Sequence, residues 1–328
     1  MKGQGIMQAV ARSVAGAALV MVATGVGAQQ YPVKTVRIVV TLGPGSAGDL
    51  LTRLLAEPLG RSLGQTVIAD NRPGAGGNLA AEIVAKAPPD GYTLFLTTIS
   101  THGINPTLYS KLPFDPVRDF APITLSASSP NVLVVHPSMS VASVTQLIAF
   151  AKARPGELTF SSGGSGTSQH MSGELFNLMS GIKTTHVPYK ATPQSMAAVM
   201  SGEVVMSFAS VPVAQTTVRA GKLKGLGVTS AKRVGAWPEM ATIAESGLPG
   251  FDVAAWFGYA ATGGTPPTIV NRLNEEFRKA QRDPVVRERL VAQGMEVTES
   301  TPEEFARYIR EEIAKWAKVV KASGARAD

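Results

Sequence analysis

Short apolar runs alternate with helical patterns along this chain, and that alternation constrains the fold more strongly than any single motif. The apolar run at 36–40 is followed by Leu50, Leu51, Leu54 and Leu55, which are spaced for one face of a helix. Further strand-like runs lie at 67–69, 93–98, 133–135, 158–161 and 204–208, and further helical patterns lie at 79–85, 144–153 and 171–179. The alternation predicts an α/β protein with largely parallel sheets.

The last helical pattern is the clearest one. Apolar residues recur every three or four positions from Phe305 to Val320, and Thr301 stands before Pro302 in the position of an N-cap. We expect this apolar stripe to face the protein core rather than a cofactor.

Two extended segments, 121–128 and 251–262, lack a strong helical partner and are predicted to cross between two α/β lobes. A chain that crosses twice returns to its first lobe, so the C-terminal helices would complete that lobe. The expected division is 29–126 for the first part of lobe 1, 127–252 for lobe 2, and 253–328 for the second part of lobe 1.

Residues 1–28 have the pattern of a cleavable export signal. Lys2 and Arg12 supply positive charge, 14–26 is uncharged and apolar, and small residues precede a cleavage point after Ala28. A short membrane anchor is the alternative, but the apolar stretch falls short of the roughly 20 residues that a bilayer requires. Cleavage leaves 328 minus 28, or 300, residues, and places the protein in the periplasm.

Composition excludes several classes of function. Without the two basic residues of the signal, the charge is 29 minus 24, or +5, and no Lys/Arg run interleaves with aromatic residues, so nucleic-acid binding is not supported. The chain has no cysteine, which excludes thiol catalysis, thiolate metal sites, disulfides and a lipoprotein anchor. A hydrophobic fraction of 44% is sufficient for the cores of two ordinary domains.

A glycine-rich turn, Gly43-Pro44-Gly45-Ser46-Ala47-Gly48, follows the first strand-like run and precedes the helix that Asp49 opens. It matches G-x-G-x-x-G, and Asp70 ends the next apolar run where an acid that binds ribose would stand. A Rossmann-type dinucleotide enzyme is therefore one interpretation. The same backbone geometry would bind another anion equally well.

A second glycine-rich turn, SSGGSGTS at 161–168, also follows a strand-like run and opens a helix, and it lies in the other expected lobe. Each turn would present free N–H groups, hydroxyls and the positive end of a helix dipole. Either turn alone could be an ordinary tight turn with Ser and Thr caps. The pair predicts a cleft that grips a small anion from both sides.

Catalytic constellations are not found in the sequence. The four histidines lack H-E-x-x-H spacing, so no metal site is expected, and Ser165 only approaches the G-x-S-x-G pattern of a nucleophile elbow. An exported hydrolase remains the second alternative. His102 follows a strand and is expected to line the cleft as a hydrogen-bonding residue.

An ordered series of motifs extends over the whole chain after the signal and resembles the Bug-type solute receptors, the periplasmic binding components of tripartite tricarboxylate transporters. The motifs are YP at 31–32, Pro44-Gly45 with Asp49, NRPGAGG at 71–77, PDGYTL at 89–94, LPFDP at 112–116, VPYK at 187–190, AGKL at 220–223, VTSAKR at 228–233 and TIAESG at 242–247. Their order and number make the resemblance specific.

The resemblance implies a type II periplasmic-binding-protein fold, in which two α/β lobes hold a ligand between them. It implies a small organic carboxylate as ligand, the transporter's membrane components as partner, a monomer, and neither a metal nor an organic cofactor. The expected ligand-binding residues are Gly43, Pro44, Gly45, Ser46, Ala47 and Asp49 in the first turn, Ser162, Gly166, Thr167 and Ser168 in the second, and Thr98, Ser100 and His102 after a third strand. Ser46, Ala47 and Gly48 depart from the Gly-Gly-Ser/Thr run that is common in the family.

A second departure lies at Ala209-Ser210, where the family often has Asp-Asn. An acid at position 209 would suit the ammonium group of an amino acid. Ala209 therefore predicts a ligand without a free amine, such as an aliphatic dicarboxylate or an aromatic carboxylate.

Overall fold

The computed structural model describes residues 31–189 and 192–327, in which ten strands form one curled sheet of order β2-β1-β3-β9-β4-β7-β5-β6, with β8 and β10 paired to β4. The predicted export signal lies outside these residues. The strands are β1 Val36–Val40, β2 Val67–Asn71, β3 Thr93–Thr98, β4 Phe120–Val135, β5 Thr159–Ser162, β6 Thr185–Pro188, β7 Met206–Ser210, β8 Lys224–Val228, β9 Ala254–Thr262 and β10 Glu296–Val297.

Helices cover the sheet and connect most of its strands. They are α1 Ala47–Leu63, α2 Asn78–Ala85, α3 Asn105–Leu108, α4 Val144–Lys152, α5 Ser168–Ser180, α6 Thr192–Met200, α7 Val211–Arg219, α8 Pro267–Arg282, α9 Pro284–Ala292 and α10 Pro302–Ser323. A π-helical turn, Ser100–Ile104, joins β3 to α3. The α/β class expected from the alternation is confirmed.

Parallel pairing is confined to two groups of strands. In the first half of the sheet (β1 to β3), β1 pairs in parallel with β2 and β3, and in the second half (β5 to β8), β5 pairs in parallel with β6 and β7. The long strands β4 and β9 are antiparallel to their neighbours. The expectation of largely parallel sheets is therefore wrong at the centre, where strands that cross between the two halves run against the strands that flank them.

Strand β4 is continuous over 16 residues, whereas the sequence predicts a crossing at 121–128 and a separate strand at 133–135. Ser128 and Ser129 before Pro130 resemble a turn. Pro130 instead ends the pairing with β9, and Asn131 begins the pairing with β7. A proline is tolerated here because it stands where the strand changes partners. The expected boundary between residues 126 and 127 lies inside this strand, so the division into lobes stays a prediction.

Helix α1 packs on the first half of the sheet through Leu51, Leu55 and Leu59, which are almost fully buried. Burial of a leucine side chain contributes roughly 2 kcal/mol. Leu50 and Leu54, on the same predicted face, are only half-buried. This packing fixes the N-terminus of α1 at the end of β1.

Helix α10 confirms the prediction for the C-terminal stripe. Thr301 caps it in a capping box with Glu304, and Phe305 and Trp316 are fully buried. The helix packs against the π-helical turn, β4 and α5, so it touches elements beside both halves of the sheet. Among the residues described, no helix is long and apolar enough to cross a membrane.

Candidate ligand-binding site

A cavity of about 770 Å³ lies where the carboxyl ends of β1, β3 and β5 meet the start of α1, α2 and α5. This is the position at which open α/β sheets bind ligands. Its walls are formed by residues 41–47 after β1, residues 73, 74, 76 and 77 before α2, residues 98–100 after β3, residues 163, 165 and 167–169 around the start of α5, and residues 192, 193, 210, 255 and 257. None of these lining residues carries a charged side chain.

The first glycine-rich turn enters the cavity through Gly43, Pro44, Gly45, Ser46 and Ala47. Helix α1 begins at Ala47, two residues earlier than predicted, because the Ser46 hydroxyl accepts the N–H of Asp49 at 3.3 Å as an N-cap. The prediction from the sequence thus identified this turn correctly and was wrong only about the residue at which the helix begins.

Asp49 does not line the cavity; it braces the turn from behind. Its buried carboxylate accepts hydrogen bonds from Gly45 N–H at 2.9 Å, Arg53 Nε at 3.0 Å and Asn71 Nδ2 at 2.9 Å. Burial acts to raise the pKa of Asp49, but these hydrogen bonds and the Arg53 charge outweigh it, so the pKa lies below its usual value. The Asp49 side chain therefore points back to its own turn, and the structure does not bring it to the cavity wall where a ligand contact was predicted.

The second glycine-rich turn supplies Ser165, Thr167 and Ser168 to the cavity, but not Ser162 or Gly166. Thr167 caps α5 by accepting the N–H of His170 at 3.3 Å. Ser162 is buried beneath the turn, where its hydroxyl contacts Gly164 and lies 2.7 Å from His186 Nε2.

Gly166 joins the two sides of the cavity. Its carbonyl accepts the hydroxyl of Ser100 at 2.9 Å, and Thr98 and Ser100 both line the cavity. Its φ is +76°, and a Cβ would lie 2.8 Å from Leu108 Cδ2, so only glycine fits without a shift. Gly166 therefore connects the two walls from behind the cavity surface, and its predicted ligand contact stays a prediction.

A third glycine-rich turn, residues 73–77, was not predicted as part of the site. Gly77 has a φ of +93° and lies at the N-cap of α2, where no side chain caps the helix. The first N–H groups of α2 therefore lack the capping side chain that α1 and α5 have. The signal was in the sequence, since this turn also follows a strand and opens a helix.

Comparison with known proteins decides the family. The model of the tripartite tricarboxylate transporter family receptor matches residues 51–325. The chain belongs to this receptor family. BugT of Bordetella pertussis is 34% identical over 306 residues, which cover 93% of this chain and 94% of that protein.

Solved structures of similar proteins carry the same fold. A protein of R. palustris solved with adipate is 37% identical, with a TM-score of 0.81 over 90% of this chain and 99% of that one. MatC of Rhodopseudomonas palustris, solved with malate, is 33% identical, with a TM-score of 0.77 over 88% of this chain and 100% of that one. The receptor therefore has the fold of periplasmic solute-binding proteins, as the motifs implied.

Ala209 does not face the cavity of this receptor. It is fully buried in a core cluster with Val132 and Val211, whereas the next residue, Ser210, lines the cavity. Side chains alternate between the two faces of a strand, so only one of the two neighbours can face the ligand. The structure therefore brings Ser210, and not the predicted Ala209, to the cavity wall.

His102 is also absent from the cavity wall. The strand before it continues into the π-helical turn, which directs the ring inward among Phe95, Phe114 and Phe120. Its Nδ1 lies 3.0 Å from Thr101 Oγ1, while Nε2 is buried without a partner. Burial lowers the pKa of His102 to about 3, so the ring is neutral.

His102 should make the fold less stable in acid. Between its ordinary pKa near 6.5 and about 3, the unfolded chain binds a proton that the folded chain does not. The free energy of unfolding should therefore fall by roughly 1 kcal/mol for each pH unit in this window. Urea titrations at several pH values from about 7 to 5 give the free energy of unfolding at each pH. This free energy should fall less steeply with falling pH for His102→Leu than for the native chain, and an equal dependence on pH would contradict the assignment.

The two alternative interpretations find little support in the geometry. Asp70, the expected ribose-binding acid, pairs with Arg72 at 3.0 Å and lies outside the cavity wall. Ser162 and His186 do form a close pair, but the serine is buried below the turn. Within the described part of the chain, no group of three or more His, Asp or Glu side chains is placed to hold a metal ion.

Proposed function

We propose that this receptor captures a small organic carboxylate without a free amine, an aliphatic dicarboxylate or an aromatic carboxylate, and delivers it to the membrane components of a tripartite transporter. The observation that carries the proposal is the cavity itself. Its walls contain three glycine-rich turns at helix N-termini and no charged side chain.

Such a cavity suits an anion because its positive potential comes from the backbone. The first N–H groups of a helix have no partner within the helix, and the helix dipole places partial positive charge at that end. Three such ends, from α1, α2 and α5, meet around one space. The Ser46 hydroxyl, which accepts the N–H of Asp49, adds a donor that can rotate toward a carboxylate oxygen, whereas the Thr167 hydroxyl already donates to the Gly164 carbonyl at 2.7 Å.

The same cavity is poorly suited to an amino acid. An ammonium group taken out of water requires an acidic partner or several acceptors, and no Asp or Glu lines the described wall. Ser210, rather than an acid, occupies the wall position contributed by the end of β7. The relatives solved with adipate and malate hold ligands of the proposed kind.

The proposed mechanism is capture without turnover. A ligand that bridges the turns at both halves of the sheet would favour closure about β4 and β9, and the transporter would recognise the closed shape. The receptor would act as a monomer in the periplasm, after cleavage of residues 1–28, and would need neither metal nor organic cofactor. The lobes would comprise residues 29–126 with 253–328, and residues 127–252.

A calorimetric panel on the chain without residues 1–28 tests the proposal. We expect at least one of adipate, malate and benzoate to bind and to raise the melting temperature. We expect aspartate, glutamate and NAD to bind at least about tenfold more weakly than that ligand. Binding of amino acids in preference to simple carboxylates would overturn the ligand class. Tight binding of NAD, or release of a chemical product, would overturn the receptor function in favour of an enzyme.

A further inference from the structure

Two histidines stack face to face beneath the second glycine-rich turn. The rings of His170 on α5 and His186 on β6 have centroids 3.9 Å apart and planes inclined by 16°. Phe160 on β5 stacks on His186 at 4.9 Å. His170 is 4% exposed and His186 is half-buried, and both rings lie against the underside of the turn.

Both rings bind the turn directly. The N–H of Gly166 donates to His170 Nδ1 at 3.2 Å, and His186 Nε2 lies 2.7 Å from the hydroxyl of Ser162. That hydroxyl in turn accepts the N–H of Gly164 at 3.1 Å. The pair therefore holds the turn at two separate glycines.

The contact with Gly166 fixes the protonation of His170. An Nδ1 that accepts an N–H carries no proton, so the neutral ring must carry its proton on Nε2. Nε2 faces the carboxylate of Glu174 at 3.4 Å, which orients the ring. If a second proton were bound at Nδ1, two donors would face each other and the hydrogen bond from Gly166 N–H would be lost. Gly166 also accepts the hydroxyl of Ser100 across the cavity through its carbonyl.

We propose that His170 and His186 are positioning residues for the second glycine-rich turn, and that His170 must keep Nδ1 free of a proton for the receptor to hold its ligand. The proposal rests on the function proposed above, because it concerns the same cavity. It assigns a role to two side chains that lie behind the wall and do not touch the ligand.

The two rings have different neighbours. Among the described residues, the titratable groups recorded in contact with the pair are Glu174 on the same helix as His170 and, across the stack, each histidine for the other. The flanking contact from β5 is the apolar ring of Phe160. Burial, and then the proximity of His170, lower the pKa of His186 to about 3. Two positive charges on stacked rings would repel each other.

Variants at position 170 separate a specific contact from general packing. His170→Ala removes the acceptor for Gly166 and should weaken adipate binding about tenfold at pH near 7.5. His170→Asn can place its side-chain oxygen where Nδ1 lies and cannot be charged, so it should recover most of that loss. Where the pH is low enough to place a proton on His170 Nδ1, the native receptor should bind adipate more weakly, and His170→Asn should reduce this pH dependence.

Controls remove the other sources of pH dependence. Protonation of adipate itself is common to all variants and cancels in the ratios of their affinities. His136→Gln changes a histidine that bonds to Ser138 and does not line the cavity. His136→Gln should follow the native receptor at each pH. Equal affinity of His170→Ala and the native receptor, or an unchanged pH dependence in His170→Asn, would overturn the proposal.

A second readout needs no ligand. Nitrogen-15 imidazole shifts of the native receptor at neutral pH should show His170 protonated on Nε2 alone, and a proton on Nδ1 would overturn the proposal even if adipate binds. Failure of the native receptor to bind any carboxylate would instead contradict the proposed function and leave the imidazole shifts to decide the role of the pair. Melting temperatures of the variants identify any that have lost their fold.

Discussion

Ser210→Asp should reduce the affinity for a dicarboxylate about 100-fold. Ser210 lines the cavity at the end of β7, so an aspartate there would place a negative charge beside the ligand. Two like charges about 5 Å apart at an effective dielectric constant near 20 repel by roughly 3 kcal/mol, which corresponds to about two orders of magnitude in binding. Calorimetric titration with adipate measures the change.

The fold should tolerate this substitution. Ser210 is the N-cap of α7 and its side chain makes no capping hydrogen bond, whereas aspartate is a favourable N-cap residue. Ser210→Asn matches aspartate in size without the charge and should bind within about threefold of the native receptor. Equal losses in both variants would show that size rather than charge matters at position 210, which would contradict an anion site.

Asp49→Ala should lower the free energy of unfolding by about 3 kcal/mol and weaken ligand binding as well. The substitution leaves the N–H of Gly45, the amide of Asn71 and the guanidinium of Arg53 without their shared acceptor, and loss of one partner from a buried charged network has costs of this size. The first turn would lose its brace, so the cavity wall it forms would be less well ordered. Urea denaturation and titration with adipate measure the two effects.

Glu57→Ala is a matched control on the same helix. Glu57 pairs with Arg61 at the spacing that joins Asp49 to Arg53, but its side chain is 77% exposed whereas that of Asp49 is 4% exposed. An exposed pair contributes at most about 0.5 kcal/mol. Similar losses in the two variants would show that burial of Asp49 has no special role.

The effect of Asp49 should also depend on pH. Its pKa is lowered in the fold, so its stabilising contribution is complete above its ordinary value of about 4 and is lost as the pH falls through the folded value. The difference in stability between the native receptor and Asp49→Ala should shrink only in strong acid. A difference that already disappears near pH 6 would contradict the lowered pKa.

Local patterns predicted the parts of the fold that depend on local chemistry. The Thr301 cap and the stripe from Phe305 to Val320 were predicted correctly because each is set by near neighbours in the sequence, and strand β3 has the bounds that its apolar run predicts. The continuity of β4 was not predicted, since its second part is specified by β7 and β8, which lie far along the chain. Helices α6 to α9 were also not predicted, although the buried face of α8, with Val270, Leu273 and Phe277, has helical spacing.

The candidate site, too, could be predicted only where a local pattern determines its structure. The turns that hold Gly43 and Thr167 could be predicted because a strand, a glycine-rich turn and a helix occur in that order. The directions of individual side chains could not. His102 turns inward because β3 ends in a π-helical turn, and Ala209 turns inward because its neighbour Ser210 occupies the outward position.

A crystal structure of the receptor with adipate tests the central claim most directly. We expect ligand carboxylate oxygens at hydrogen-bonding distance from backbone N–H groups of the first and second glycine-rich turns, with no Lys or Arg side chain in contact. A carboxylate paired with a charged side chain or a metal ion, or adipate bound outside the cavity, would contradict the account of an uncharged anion site.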